Sequence, residues 1–173
     1  MNSSRQRLLA GATVVAVTAI SSSALAQASA TASGTASVLV GSAIDVVKNT
    51  DLTFGRVILP TSGSTVYSVA ASDGQASTSG GNGQFSSGSG SPARAQFTVA
   101  GEGGQAFNIS ADPSVNAGGV TINLLTSAAT GALSGTVGSP GTATFGVGGN
   151  VTLTNGTSTG VKSGSFNVTV GYQ

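Results

Sequence analysis

The residues of this sequence best suited to catalysis lie at positions 156–160, which match the G-x-S-x-G pattern of many hydrolases with Ser158 as the nucleophile. Such a serine requires a strand-to-helix turn and a general base, most often a histidine. The chain contains no histidine, and no helix signal follows the motif. Lys162 then remains as the base for Ser158, but nothing in the sequence predicts that it is buried. A turn in a Gly- and Thr-rich stretch explains the motif better.

A second glycine pattern, at residues 101–106, matches G-x-G-x-x-A. This pattern binds dinucleotides when a helix follows it and an acidic residue lies about 20 residues further on. Here Phe107 and Ile109 predict a strand, and no acidic residue lies near that distance. Transition-metal sites lack their usual ligands because the chain has no His and no Cys, and its five carboxylates are widely spaced. The sequence therefore predicts no cofactor, no metal ion, no small-molecule substrate and no enzymatic activity.

The charge of the chain argues against binding to nucleic acid. Charged residues make up 6% of the sequence, against about 25% in a typical soluble domain. Beyond residue 26 the basic residues are Lys48, Arg56, Arg94 and Lys162. These dispersed cations cannot form the basic patch that phosphate contacts require. The positive mean hydropathy and the near-zero net charge also distinguish the chain from disordered proteins.

Residues 1–26 have the pattern of a cleaved signal peptide. Two arginines precede a short apolar run, and small residues up to Ala26 form a cleavage site. The run is shorter than the ~20 apolar residues that a membrane-spanning helix needs. Cleavage after Ala30 fits the same rule. We therefore expect an exported protein, located in the periplasm, at the cell surface or outside the cell, with a single domain at 27–173.

Side chains alternate along an N-terminal extension at residues 27–40. Alanine or glycine occupies every second position from 28 to 36, Val38 and Val40 keep the same phase, and Ile44 resumes it. A period of two places these side chains on one face of a strand. We expect this extension to be a donor strand that lies in an apolar groove of its own domain or of a neighbouring molecule. A flexible tail left by signal cleavage is the alternative.

Short strand patterns separated by turn signals fill the remainder of the chain, which is typical of an antiparallel β-sandwich. Residues 73–92 predict a mobile Gly- and Ser-rich loop, dispensable for folding, with a short pairing near Phe85. Residues 148–150 predict a turn between two strands, and residues 127–133 are the one candidate for a helical turn. A long regular strand is predicted at 164–172, where Phe166, Val168, Val170 and Tyr172 alternate.

The core is expected to contain the bulkiest residues at strand-like positions, buried together. These residues are Phe54, Phe97, Ile109, Leu124, Leu153, Phe166 and Val168. Because the chain has no cysteine, this core and the backbone ladders must hold an exported domain without disulfides.

Several segments together resemble a family of secreted bacterial domains, domain of unknown function family 4402. After the alternating N-terminus these segments are DLTFG at 51–55, AQFTVAG at 95–101, VGG at 147–149 and GSFNVTVGY at 164–172. That family is similar in turn to spore coat protein U domains and to the pilins of chaperone–usher systems. The resemblance implies an immunoglobulin-like, pilin-like sandwich whose N-terminal extension completes a neighbouring subunit. The chain departs from many pilins in lacking a cysteine pair and in having a small-residue extension.

We therefore interpret the chain as a secreted, non-catalytic structural protein of the cell surface, a fimbrial, pilin-like subunit. Its implied partners are further copies of itself and a periplasmic chaperone and usher. The residues assigned to assembly are Val38, Val40, Ile44, Phe166, Val168, Val170 and Tyr172. One alternative is a self-contained binding or adhesion module that uses the loop at 73–92. Another is a small outer-membrane β-barrel, although the few aromatic residues do not easily supply its two girdles.

Overall fold

The computed structural model describes residues 29–88 and 90–173, and the regular secondary structure within them is entirely β-strand. The predicted signal peptide at 1–26 lies outside these residues. Every strand belongs to one compact unit, Val38–Gln173, while residues 29–37, in the other unit, have no regular secondary structure. The all-β prediction is confirmed, and at 127–133, the one candidate for a helical turn, the structure has a short strand instead.

The described residues form strands that alternate with turns throughout the compact unit. Their bounds are β1 Asp45–Thr50, β2 Val57–Ile58, β3 Ser64–Val69, β4 Ala76–Ser79, β5 Gln84–Phe85, β6 Ala95–Glu102, β7 Ala106–Ala111, β8 Ser114–Ala117, β9 Val120–Thr126, β10 Thr130–Ala132, β11 Pro140–Thr154 and β12 Val168–Tyr172. Seven of them (β1, β3, β4, β6, β8, β9 and β11) form one antiparallel sheet, β10, β7 and β12 form a second, and β2 and β5 form a small third.

The long strand β11 organises the seven-stranded sheet. Val147 pairs at once with β6 and β9, and Gly149 pairs at once with β3 and β9. A strand has two edges, so β9 occupies one edge of β11 while β6 and β3 follow each other along the opposite edge. One strand of 15 residues therefore connects three others, β3, β6 and β9, into a single ladder.

The predicted turn at residues 148–150 is wrong, because the strand runs straight through it. The glycines there allow neighbouring strands to approach the backbone of β11 closely, and they do not reverse the direction of the chain. A Cβ at Gly148 would overlap the Val69 carbonyl oxygen and lie 2.6 Å from the Ala71 nitrogen. A Cβ at Gly149 would lie 2.8 Å from the Asn123 carbonyl oxygen. Only glycine lets β3 and β9 pack this closely on the two edges of β11.

The main core lies between the seven-stranded sheet and the three-stranded sheet, which makes the unit a sandwich. The rings of Phe97 on β6 and Phe145 on β11 stack in register at 5.3 Å, and Phe166 meets Phe97 edge to face. The buried members are Ala95, Phe97, Val99, Phe107, Ile109, Leu124, Leu133, Phe145 and Val147. The predicted antiparallel β-sandwich is thereby confirmed.

A second, smaller cluster lies beneath the third sheet. It is built around Tyr67, Val151 and Leu153, and Phe54 and Phe85 pack against it. The predicted single core is therefore corrected: Phe54 and Leu153 belong to this second cluster. In the main cluster Phe97, Ile109 and Leu124 are buried, whereas Phe166 and Val168 are only half-buried.

The segment at 73–92 is more ordered than predicted, because β4 pairs with β3 and β5 pairs with β2. The pairing near Phe85 is confirmed, and its ring packs edge to face on Tyr67 with centroids 5.5 Å apart. The Tyr67 hydroxyl donates a hydrogen bond to the Ile58 carbonyl, which ties the third sheet to the sandwich. Deleting residues 75–90 would therefore remove core contacts, contrary to the prediction that the loop is dispensable.

Substitution of Gly148 tests the role of close backbone approach. Gly148→Ala should destabilise the fold by about 1–3 kcal/mol, the usual cost of overpacking, because β3 must move away from β11. Gly171→Ala is the matched control, since this strand glycine has open space around its Cβ position and no positive φ. Denaturant unfolding of both variants measures the difference, and equal stabilities would contradict the assignment.

Candidate assembly surface

Three consecutive apolar side chains at the start of the compact unit lie in solvent. The exposed fractions of Val38, Leu39 and Val40 are 84%, 69% and 81%. Residues 38–43 form no strand, so the predicted burial of Val38 and Val40 in a groove of their own unit is not what the structure shows. A contiguous exposed apolar segment of this kind is typical of a binding surface. We call residues 38–40 the apolar segment.

Ser42 anchors the apolar segment to the sandwich through both of its backbone polar groups. Its N–H donates to the Glu102 carboxylate at 2.9 Å, and its carbonyl accepts a hydrogen bond of 2.8 Å from the Tyr172 hydroxyl. The same hydroxyl accepts a 2.6 Å hydrogen bond from the Glu102 backbone N–H. We call this arrangement of Ser42, Glu102 and Tyr172 the Ser42 clamp. It fixes the point at which the chain leaves the sandwich.

The carboxylate of Glu102 is the electrostatic centre of the clamp. Its side chain accepts backbone hydrogen bonds from Gly138 and Ser42, and the residue is 8% exposed. Within the described residues it forms no ion pair. Hydrogen bonds from Gly138 and then Ser42 hold the pKa of Glu102 below its ordinary value of 4.5, against the opposing effect of desolvation.

The other residues predicted for assembly lie beside the clamp on two edge strands. Ile44 precedes β1, while Val168 and Val170 lie on β12, and all three are half-buried against the main core. Among the described strands β1 pairs only with β6, and β12 pairs only with β7. The two strands contact each other at the rim of the sandwich. Because each pairs along one edge only, its other edge, the outer edge, has no partner among the described strands. Phe166 lies apart from the clamp, before β12 begins.

The long final strand predicted at 164–172 is shorter in the structure. Pairing begins only at Val168, because β7 ends opposite it at Ala111 and turns away at Asp112. The Asp112 carboxylate accepts hydrogen bonds from the backbone N–H and the side-chain amide of Asn167, which closes the ladder.

The structure brings Ser158 and Lys162, the two residues weighed for the hydrolase-like motif, into direct hydrogen-bond contact. The Lys162 ammonium donates to the Ser158 hydroxyl oxygen at 2.7 Å and to the Gly118 carbonyl at 3.0 Å. Lys162 is therefore the hydrogen-bond donor in both contacts, and Ser158 is the acceptor in one of them. Lys162 is also partly open to water, unlike the buried lysines that act as bases. Across the residues that the structure covers, no three His, Cys, Asp or Glu side chains converge as metal ligands.

Sequence reasoning did not identify the Ser42 clamp. In the sequence, Glu102 falls within the glycine pattern at 101–106, and Ser42 falls in the gap between Val40 and Ile44 where the alternation is interrupted. The backbone donors to the Glu102 carboxylate, Ser42 and Gly138, lie 60 and 36 positions away along the chain, so no local pattern marks the clamp.

Comparison with known proteins gives one match. The sequence model of a family described as Domain of unknown function (DUF4402) matches residues 44–172. No curated protein and no solved structure matches the chain. In the part of the chain that the structure covers, no helix is long and apolar enough to cross a bilayer.

The clamp makes stability depend on pH through Glu102. Because its pKa is lowered on folding, its contribution is present above the ordinary carboxyl pKa of 4.5 and is lost as the pH falls through the lower, folded value. Glu102→Gln should be less stable than the parent at pH 7 and should lose less stability on acidification below about pH 4.5. Urea unfolding across this range measures both effects.

The NMR shift of the Ser42 amide provides the site-specific control for that titration. In the parent it should move with the protonation of Glu102, and in Glu102→Gln this movement should disappear. If the Ser42 amide shift changed with pH in the same way in both proteins, a role for Glu102 in the clamp would be contradicted.

Proposed function

The chain belongs to the DUF4402 family of domains of unknown function, and we propose that it is an exported structural subunit of the cell surface that assembles with copies of itself. In this proposal the sandwich is of the immunoglobulin-like, pilin-like kind, and the N-terminal extension completes a neighbouring subunit as an added strand. A periplasmic chaperone and an usher would cover the extension before assembly. The protein performs no catalysis.

The apolar segment is the observation that carries this proposal. Each Val or Leu side chain that moves from water into an apolar site contributes about 1.5–3 kcal/mol. Val38, Leu39 and Val40 make no such contribution in their own unit, since all three are largely exposed. A second molecule that buries part of this segment would therefore gain the favourable transfer free energy of these side chains, which the single chain does not gain.

The edge strands support assembly by strand addition. Soluble proteins usually protect exposed strand edges with lysine, proline or a bulge. The strand β12 contains no charged residue and no proline, and its outer edge has no strand partner in the described structure. An unprotected edge is a liability for a monomer and suits a subunit that pairs through its backbone.

Charges placed in the apolar segment test this function. Val38→Asp/Val40→Asp should fold and melt like the parent, because both side chains are exposed in the single chain. Assembly should be lost, since the carboxylates would have to enter an apolar site without partners. Size-exclusion chromatography and SDS-resistant ladders of the purified full chain measure the assembled fraction.

The matched control is Leu125→Asp/Thr144→Asp, which adds the same charge at two exposed strand positions elsewhere. This variant should assemble as the parent does. A monomeric parent at all concentrations, or a Val38→Asp/Val40→Asp variant that assembles normally, would contradict the proposed function.

A further inference from the structure

An apolar groove lies on the part of the sandwich that the three-stranded sheet does not cover. Its volume is about 810 Å³, and segments 52–59 and 157–164 contribute to its lining. Strands β8, β9 and β11, together with Gly90 and Phe166, supply the other lining residues. Its principal apolar side chains are Phe54, Val115, Ile122, Leu153 and Phe166. Most of these are only half-buried, so the groove is an incompletely covered extension of both core clusters.

The backbone along one wall of this groove pairs with no other backbone segment that the structure describes. Within the described structure, residues 158–166 belong to no strand and form no hydrogen bond with another backbone group. Pairing resumes on both sides, at Thr157 and at Asn167. Peptide groups in a folded protein are nearly always paired with protein or water. The peptide groups of this wall are therefore left to water in the described structure, next to an apolar surface, which is the combination that strand addition uses.

We propose that this groove, the acceptor groove, binds residues 36–40 of a second copy as a strand paired with residues 158–166. The inference rests on the function proposed above and adds the location of the receiving site. Val38 and Val40 would face the groove, and Leu39 would face solvent, because successive side chains in a strand point to opposite faces.

The chemistry of the two surfaces matches. Residues 29–44 contain no charged side chain, so burying them leaves no unpaired ion. The groove is lined by apolar and hydroxyl side chains, and its charged lining residues are Arg56 and Lys162. Lys162 is already engaged by Ser158 and Gly118. A neutral strand can enter this groove without leaving an unpaired ion, whereas a basic peptide would meet the like charges of Arg56 and Lys162.

The geometry of the Ser42 clamp favours a second molecule over the same one. Val40 lies two residues from Ser42, a reach of about 7 Å in extended chain. Ser42 is bound to Tyr172, at the end of β12, whereas Phe166 of the acceptor groove lies six residues earlier in the chain, before β12 begins. Leu39 also lies near Gly138, on the side of the clamp formed by Glu102. In a single chain the apolar segment therefore lies exposed beside Gly138 and does not occupy the acceptor groove.

Cysteine cross-linking tests the location, because the chain has no cysteine of its own. The acceptor is the full chain carrying Val38→Asp/Val40→Asp and one cysteine in the wall, at Thr159, Val161 or Ser163, all of which are exposed. The donor is a synthetic peptide of residues 29–44 with Leu39→Cys, whose side chain would point outward like that of Val161. A short bismaleimide should join the peptide to at least one wall position.

The control acceptor carries its cysteine at Thr169, an exposed position on β12, and should react several-fold more slowly. A peptide that also carries Val38→Asp/Val40→Asp should react with neither. Preferred reaction at Thr169 would overturn the acceptor groove while leaving self-assembly standing, since the donor would then add to β12. No reaction at any position, together with a parent that never assembles, would overturn both proposals.

Discussion

Backbone hydrogen bonding between strands holds this protein together, because the sequence supplies few other cross-links. The chain has no cysteine, and its described residues contain a single ion pair, Lys48 with Asp51, on the surface. Exposed pairs of this kind contribute at most about 1 kcal/mol. Stability must therefore come from the ladders and from the apolar clusters between them. The long strand β11 carries the largest share, since β3, β6 and β9 all pair with it, and glycines at its centre allow that crowding.

The same dependence on backbone pairing explains where the fold is incomplete. Residues 158–166 have no backbone partners within the described structure, and the outer edges of β1 and β12 are also free of strands. In the apolar segment it is the side chains that lack partners: Val38, Leu39 and Val40 are suited to a core but are exposed. In one molecule the Ser42 clamp holds the apolar segment away from the unpaired backbone at 158–166. Assembly between copies would satisfy both, and this is the physical basis of the proposed function.

Local pattern was sufficient for the fold class and for many core positions, because period-two alternation reports directly on which face is buried. The alternation correctly predicted that Phe97, Ile109 and Leu124 are buried in the core. It failed at Gly148 because glycine permits both turns and close approach, and the choice depends on β3, which lies far away in sequence. It also missed the Ser42 clamp, since the hydrogen bond between Ser42 and Tyr172 joins residues 130 positions apart.

Hydrogen exchange at residues 158–166 tests the central claim most directly. In the Val38→Asp/Val40→Asp chain these amides should exchange rapidly, because no backbone group accepts their hydrogen bonds. In the assembled parent, alternate amides of the same stretch should become protected together with those of residues 36–40, while β11 remains protected in both. Unchanged exchange at 158–166 on assembly would contradict the claim that the incomplete ladder of one molecule is completed by the next.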